Sequence, residues 1–261
     1  MDSVNKTLYI PLYGKALVSK KGILLKDEKA QEIWEKEGFA LKGKSKSKWL
    51  AYYMAMRARV FDEWLKDKAG EGCQILQIGC GLDSRVERVR IGNVAWVDVD
   101  FPQVIDERKK YFSQTNTYSM LGADATKTDW LDELENVDNA VVLMEGVSMY
   151  LSLQELQVLL TAIANKYKNV CLLVDCYTML AAKLSKYRNP INDVGVTNVY
   201  GLDDPTLLAK DTGLEFVGER ELTPSYLIDE LSSLEKGIFK KLYAGGLSKK
   251  LYKLYEYKKA R

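Results

Sequence analysis

Five short apolar runs in this sequence are each followed at once by residues suited to gripping a ligand. The run 74–78 leads into Gly79-Cys80-Gly81-Leu82-Asp83-Ser84. The run 93–100 (NVAWVDVD) ends in Asp98 and Asp100, 117–122 is followed by Asp124, 139–144 by Glu145, and 169–174 by Asp175. Glycines at a strand-to-helix turn let the backbone approach a ligand closely. An acid about twenty residues further on commonly accepts hydrogen bonds from ribose hydroxyls. Asp98 and Asp100 share one strand face. Asp100 ends the strand and is expected to reach the crevice, while Asp98 lies deeper and suits a structural role. Asp124 could take the exocyclic amine of adenine, with the backbone N–H of Ala125 reading a ring nitrogen. A carboxylate as enclosed as Glu145 needs a cationic or multi-donor partner. Asp83 or Ser84 could cap the following helix. Together these residues describe an adenosine site.

Which adenosine cofactor binds is a separate question. The dinucleotide fingerprint asks for a third glycine where Ser84 stands, and Asp83 would face the phosphates. A cofactor without phosphates, such as S-adenosylmethionine, fits better. Its carboxylate then needs a cation, and Arg57 and Arg59, just before the first strand, are the candidates; otherwise both simply solvate their helix. A nicotinamide-dependent oxidoreductase, and a cofactor-binding fold that has lost catalysis, stay open as alternatives.

The elements that must position these residues follow from periodicity. The apolar runs alternate with helix-like stretches at 84–90, 102–113, 129–135 and 152–167, which indicates βαβ units and a parallel sheet. Segments 215–221 and 250–258 alternate as half-exposed strands do, with one helix-like stretch, 225–242, between them. The expected architecture is an α/β, doubly wound, mostly parallel seven-stranded sheet with an antiparallel C-terminal edge. Segment 49–68 has apolar residues at helical spacing and closes an N-terminal helical extension, residues 1–68, which could act as a lid. Residues 72–261 form the cofactor-binding core of a single domain. Residues 177–200 hold a helix and then a polar stretch, KYRNPINDVGVTN, too long for a plain connection, and such an insertion suits a substrate loop.

Composition sets the outer bounds. At 261 residues, 47% of them hydrophobic, the chain can bury a core without disulfides or metal. It contains no histidine, which removes histidine triads, bases and ligands. The four cysteines form no CxxC pair, so no zinc site is expected and the thiols read as reduced and mostly buried. A net charge of +2 predicts no strong affinity for nucleic acid or membrane, and the basic stretches at 42–48 and after Lys236 read as solvated surface. No apolar run approaches the length of a membrane helix and the start lacks a signal-peptide layout, so a soluble, cytoplasmic protein is expected.

The segments LQIGCGLDSR (76–85), WVDVDFP (96–102), Gly122–Asp124 and EGVSMYL (145–151), with TLYIPLYGKA (7–16) and RARVFD (57–62), resemble the leucine carboxyl methyltransferase-like family of S-adenosylmethionine-dependent methyltransferases, in particular its bacterial polyketide O-methyltransferase branch. The resemblance covers roughly residues 5–175. It implies a class I, Rossmann-like methyltransferase fold and S-adenosylmethionine as cofactor, leaving S-adenosylhomocysteine as product. It further implies that Arg57, with Arg59 second, holds the cofactor carboxylate. Gly79 and Gly81 would line methionine and ribose, Asp100 would bind the ribose, Asp124 with Ala125 would read adenine, and Glu145 would lie under the amino group. Cys80 stands where the family commonly has alanine and reads as a packing substitution. Methyl transfer to a small-molecule carboxylate needs no base at neutral pH, whereas a hydroxyl benefits from one. Without histidine, a carboxylate or an acidic hydroxyl is favoured; methylation of a protein C-terminal carboxylate is the alternative within this chemistry. No metal is implied. Tyr150, Tyr177 and the 177–200 loop are candidates for the acceptor pocket wall, or for aromatic packing.

Overall fold

The computed structural model describes residues 8–39, 41, 43–188, 199–246 and 248–259. Seven strands, β1 (Gln74–Ile78), β2 (Ala95–Asp100), β3 (Tyr118–Gly122), β4 (Asn139–Met144), β5 (Asn169–Tyr177), β6 (Leu214–Arg220) and β7 (Tyr252–Lys259), form one sheet in the order β3-β2-β1-β4-β5-β7-β6. The first five pair in parallel and β7 runs antiparallel to both neighbours. The parallel strands are rich in Val, Ile and Leu and largely buried on both faces, as crossover helices require.

One face of the sheet is covered by an N-terminal group, α1 (Tyr9–Lys21), α2 (Glu28–Glu37) and α3 (Lys48–Lys68), together with α4 (Arg85–Val89), α5 (Pro102–Arg108), α9 (Ser225–Ile228) and α10 (Ser233–Tyr243). The other is covered by α6 (Leu153–Lys166) and α8 (Thr206–Ala209), with α7 (Met179–Arg188) following β5 at the end of the sheet. Local chemistry fixes the helix ends. Ser152 and Glu155 make a reciprocal capping box on α6, Asp27 accepts from the Ala30 N–H to start α2, and Gly22 and Gly38 close α1 and α2 in the left-handed conformation.

Three expectations need revision. Stretch 225–242 is two helices, the second starting after Ser232 at its N-cap position; Glu230, between them, accepts the Leu24 N–H at 2.7 Å. Stretch 129–135 is a single 3-10 turn, Asp129–Glu133. Strand β7 is not half-exposed: it lies between β5 and β6, and even its Glu256 is buried, paired with Arg220 and Lys68. The antiparallel strand thus sits one place in from the edge, and β6 is the edge. Within 177–200 the expected helix is α7, and of the polar stretch after it 189–198 lie outside the described residues. No described helix is long and apolar enough to cross a membrane.

Candidate active site

A cavity of about 850 Å³ opens over the C-terminal ends of the parallel strands, where open α/β sheets bind ligands. Its lining follows the strand order. Asp124 and Ala125 lie beyond β3, Asp100 ends β2, Gly79 and Gly81 follow β1, and Glu145 follows β4; Tyr177 and Tyr252 close the far side over β5 and β7. Arg57, Tyr53 and Met54 reach the cavity from α3, and Leu8 to Leu12 from the start of α1. Every cofactor residue expected from the sequence, and both candidate wall tyrosines, Tyr150 and Tyr177, line this one cavity.

The glycine loop is built to leave space. Gly79 has φ +71°, and a Cβ there would stand 2.0 Å from Val147 Cγ2. Only glycine permits the turn and the contact together. Gly81, at φ +50°, donates its N–H to Asp100 Oδ2 at 2.8 Å, and Phe101 N–H donates to Oδ1 at 2.8 Å. Burial nonetheless pushes the Asp100 carboxyl up to about 6, those two N–H groups only partly opposing it. Beneath the loop, Asp98 is consumed by structure. It accepts from Trp96 Nε1 at 2.9 Å, from the Tyr118 hydroxyl at 2.7 Å and from the Arg108 guanidinium, which also donates to Gly81 O at 3.0 Å. Asp124 Oδ1 accepts from the N–H and hydroxyl of Thr126, at 3.0 and 2.8 Å. This folds the loop back on itself beside Ala125.

Glu145 finds the cationic partner its burial demands inside the protein. Oε1 accepts from Arg57 Nε at 3.0 Å and Oε2 from Arg85 Nη2. Burial works against its charge, but the two guanidinium groups outweigh it and hold the carboxyl below the usual range. Arg57 Nη1 donates to Asp175 Oδ2 at 3.0 Å and to the Tyr252 hydroxyl at 2.8 Å, while Nη2 has no hydrogen-bond acceptor among the described residues. Asp175, more deeply buried, is raised despite Arg57. Arg59 is directed elsewhere, to Glu63 at 2.7 Å and Leu24 O at 3.3 Å, and does not line the cavity.

Neither Asp83 nor Ser84 caps α4 with its side chain. The Ser84 hydroxyl donates to Asp27, and Asp83 pairs with Lys15 at 2.9 Å and with Arg85 and Arg88. Opposing burial, those cations hold Asp83 well below the usual carboxylate range. Cys80 is buried, which pushes its thiol well up and suits the packing role expected of it. Sequence reasoning missed Lys15, Arg85, Arg88, Tyr53 and Tyr252 as parts of the site. Arg85 alone carried a signal, directly after the glycine loop.

The fold is that of a class I methyltransferase. A family model described as leucine carboxyl methyltransferase matches residues 3–164. The tetracenomycin polyketide synthesis O-methyltransferase TcmP of Streptomyces glaucescens is 26% identical over 247 residues, 91% of this chain and 90% of that protein. An S-adenosyl-L-methionine-dependent methyltransferase of Gibberella zeae, dpfgK, is 27% identical over 181 residues, 62% of this chain and 60% of that one. Among solved structures, the magnesium protoporphyrin IX methyltransferase ChlM of Synechocystis PCC 6803 with bound SAH superposes with a TM-score of 0.52 at 12% identity, covering 89% of this chain and 93% of that one. The chain belongs to the leucine carboxyl methyltransferase family and is an S-adenosylmethionine-dependent methyltransferase. That sets aside the oxidoreductase and non-catalytic alternatives.

Proposed function

We propose that this enzyme methylates an oxygen of a small molecule that arrives as an anion, a carboxylate or an acidic hydroxyl. The observation that carries this reading is the lack of a free base. Among the described residues on the cavity wall, Asp83 and Glu145 are ion-paired, Glu155 is spent in the α6 capping box, and Lys15 is paired with Asp83. Asp100 and Asp124 stand at the opposite end from Tyr177 and Tyr252, and the chain has no histidine. An acceptor that needs no deprotonation suits such a wall. The likeness to TcmP over 91% of the chain supports a small-molecule acceptor.

Bound S-adenosylmethionine supplies a methyl group activated by its sulfonium. The residues present fit it: the Gly79–Gly81 backbone faces the cavity with no side chain in the way at Gly81, and Arg57 keeps Nη2 for a carboxylate. On this reading Arg57 holds the cofactor carboxylate and Glu145 accepts from its amino group. Asp100 accepts from the ribose hydroxyls, and Asp124 with the Ala125 N–H reads adenine. The remaining work of the chain is alignment and exclusion of water by the apolar wall from α1, α3 and α7.

Calorimetric titration with S-adenosylmethionine and S-adenosylhomocysteine tests the cofactor assignments. Micromolar binding that Asp100→Ala and Glu145→Gln each weaken by at least about ten-fold, in samples whose circular dichroism is unchanged, is the expected result. Loss of neither affinity would overturn the residue roles. A methyl-transfer screen across aromatic carboxylates, acidic phenols and amines then tests the acceptor class; turnover of amines alone would overturn it.

A further inference from the structure

Tyr53 is the one tyrosine of α3's cavity side whose hydroxyl is given nothing to do by the protein. It is 8% exposed, and its ring packs against Tyr243 at 5.4 Å and Tyr252 at 6.3 Å. Tyr52, its neighbour, donates to Glu235 at 2.8 Å and accepts from Lys21 at 2.7 Å. Tyr252 donates to Asp175 and accepts from Arg57. The Tyr53 hydroxyl makes no hydrogen bond among the described residues. It is not sealed from solvent either, as the orphaned Trp130 Nε1 is, and its side chain lines the cavity. A phenylalanine would satisfy the packing; a phenol whose hydroxyl has no partner among the described residues and faces the cavity leaves its hydrogen bond to whatever fills that cavity.

Its place in the cavity says which ligand. Along the sheet, the adenosine residues stand over β2 and β3 and the methionine residues over β1 and β4. Tyr53, one helical turn before Arg57, sits with Tyr177, Tyr243 and Tyr252 on the β5–β7 side. That is the acceptor side of the proposed reaction. Arg57 has Nε on Glu145 and Nη1 on Asp175 and Tyr252, and with Nη2 given to the cofactor carboxylate it has no nitrogen left for a second anion. Burial, together with the nearby Asp175 carboxylate, raises the Tyr53 phenol despite Arg57, so the group stays protonated. Resting on the anionic-acceptor reading above, we propose that Tyr53 is the positioning residue for the acceptor: its hydroxyl donates a hydrogen bond to the anionic oxygen group of the acceptor and turns it toward the methyl. Tyr53 takes up no proton and leaves the methyl transfer itself unchanged.

The test uses the full chain saturated with S-adenosylhomocysteine and two fluorescent probes of one shape, 2-naphthoate and the neutral 2-naphthamide, at neutral pH. The expected result is that Tyr53→Phe weakens 2-naphthoate binding roughly ten-fold or more, the loss typical of a hydrogen bond to a charged group. It should leave 2-naphthamide and S-adenosylhomocysteine affinities within about two-fold, and Tyr226→Phe, at an exposed tyrosine that does not line the cavity, should change none of the three. An equal loss for both probes would make Tyr53 a packing residue and overturn the proposal. So would unchanged naphthoate binding, a loss confined to S-adenosylhomocysteine, or no saturable naphthoate binding by the unaltered protein. Failure of the unaltered, folded protein to bind S-adenosylhomocysteine at all is a different failure, which removes the functional reading and this inference with it.

Discussion

Asp100 holds a carboxyl between opposed demands, and its titration should be visible in cofactor affinity. Two backbone N–H groups favour the anion, yet burial keeps the carboxyl up at about 6. In the role proposed for Asp100, ribose hydroxyls donate to the ionised form better than to the neutral one, so binding would draw the carboxyl down. In the free protein a raised acid gives stability that is present below its unfolded value and lost as pH climbs toward 6, a swing on the order of 3 kcal/mol. Affinity runs the other way. S-adenosylhomocysteine should bind with full strength above pH 6 and about ten-fold more weakly near pH 5. Calorimetry at both pH values checks this, and Asp100→Asn should weaken binding at neutral pH and abolish the slope. A slope retained in the variant would assign it to another group. The places of Asp100 and the glycines in the cavity were legible in the sequence because each stands at or just past a strand end. The destination of Asp98, two residues away on the same face, was not, because Arg108 and Tyr118 reach it from later elements. The same holds for Arg57 and Glu145. Each was recognisable as a site residue, but that they meet one another, across 88 positions, is a property of the fold.

At the scale of elements, the turn from β1 into α4 is the tightest coupling between fold and site. Gly79 N–H donates to Val99 O at 2.7 Å, its φ is +71°, and Val147 occupies the space where a Cβ would go. Gly79→Ala must shift either the turn or the segment after β4, both of which line the cavity. The expected cost is about 1–3 kcal/mol, a fall of roughly 2–12 °C in melting temperature, together with loss of S-adenosylhomocysteine binding. Gly92→Ala, where a Cβ meets nothing within 4 Å, is the control and should do neither. Equal melting temperatures for the two variants would show that the turn has room the geometry denies it. The parallel strands were readable because runs of Val, Ile and Leu end in turn residues. The late elements were read less well. Burial on both sides hides β7's position inside the sheet behind an alternating sequence, and the contact of Glu230, between α9 and α10, with Leu24 on a distant segment is one no local periodicity records.

The whole molecule is held together across its N-terminal group by buried charge. Lys15 of α1 pairs with Asp83, Asp27 with Arg88, Asp62 of α3 with both Arg85 and Arg88, and Arg57 with Glu145 and Asp175. All of these side chains are at least nine-tenths buried. Such networks add little net stability over an apolar core, since desolvation offsets attraction, but removing one member leaves the rest uncompensated. Asp62 is the sharpest place to ask. Its two oxygens accept from Arg85 Nε at 2.7 Å and Arg88 Nε at 2.6 Å, and Arg85 carries on to Glu145 in the cavity. Asp62→Asn should therefore cost about 3–5 kcal/mol, a fall of roughly 6–20 °C in melting temperature for a chain of this size. The exposed pair between Lys20 and Glu35 offers the comparison: Lys20→Met should cost under about 1 kcal/mol. Because Arg85 also fixes Glu145, Asp62→Asn should weaken S-adenosylhomocysteine binding even though Asp62 does not line the cavity, and Lys20→Met should not. A fall for Asp62→Asn no larger than for Lys20→Met would mean that the N-terminal helices are held by their apolar faces alone. A large fall with cofactor affinity intact would mean that the network secures α3 without tuning Glu145.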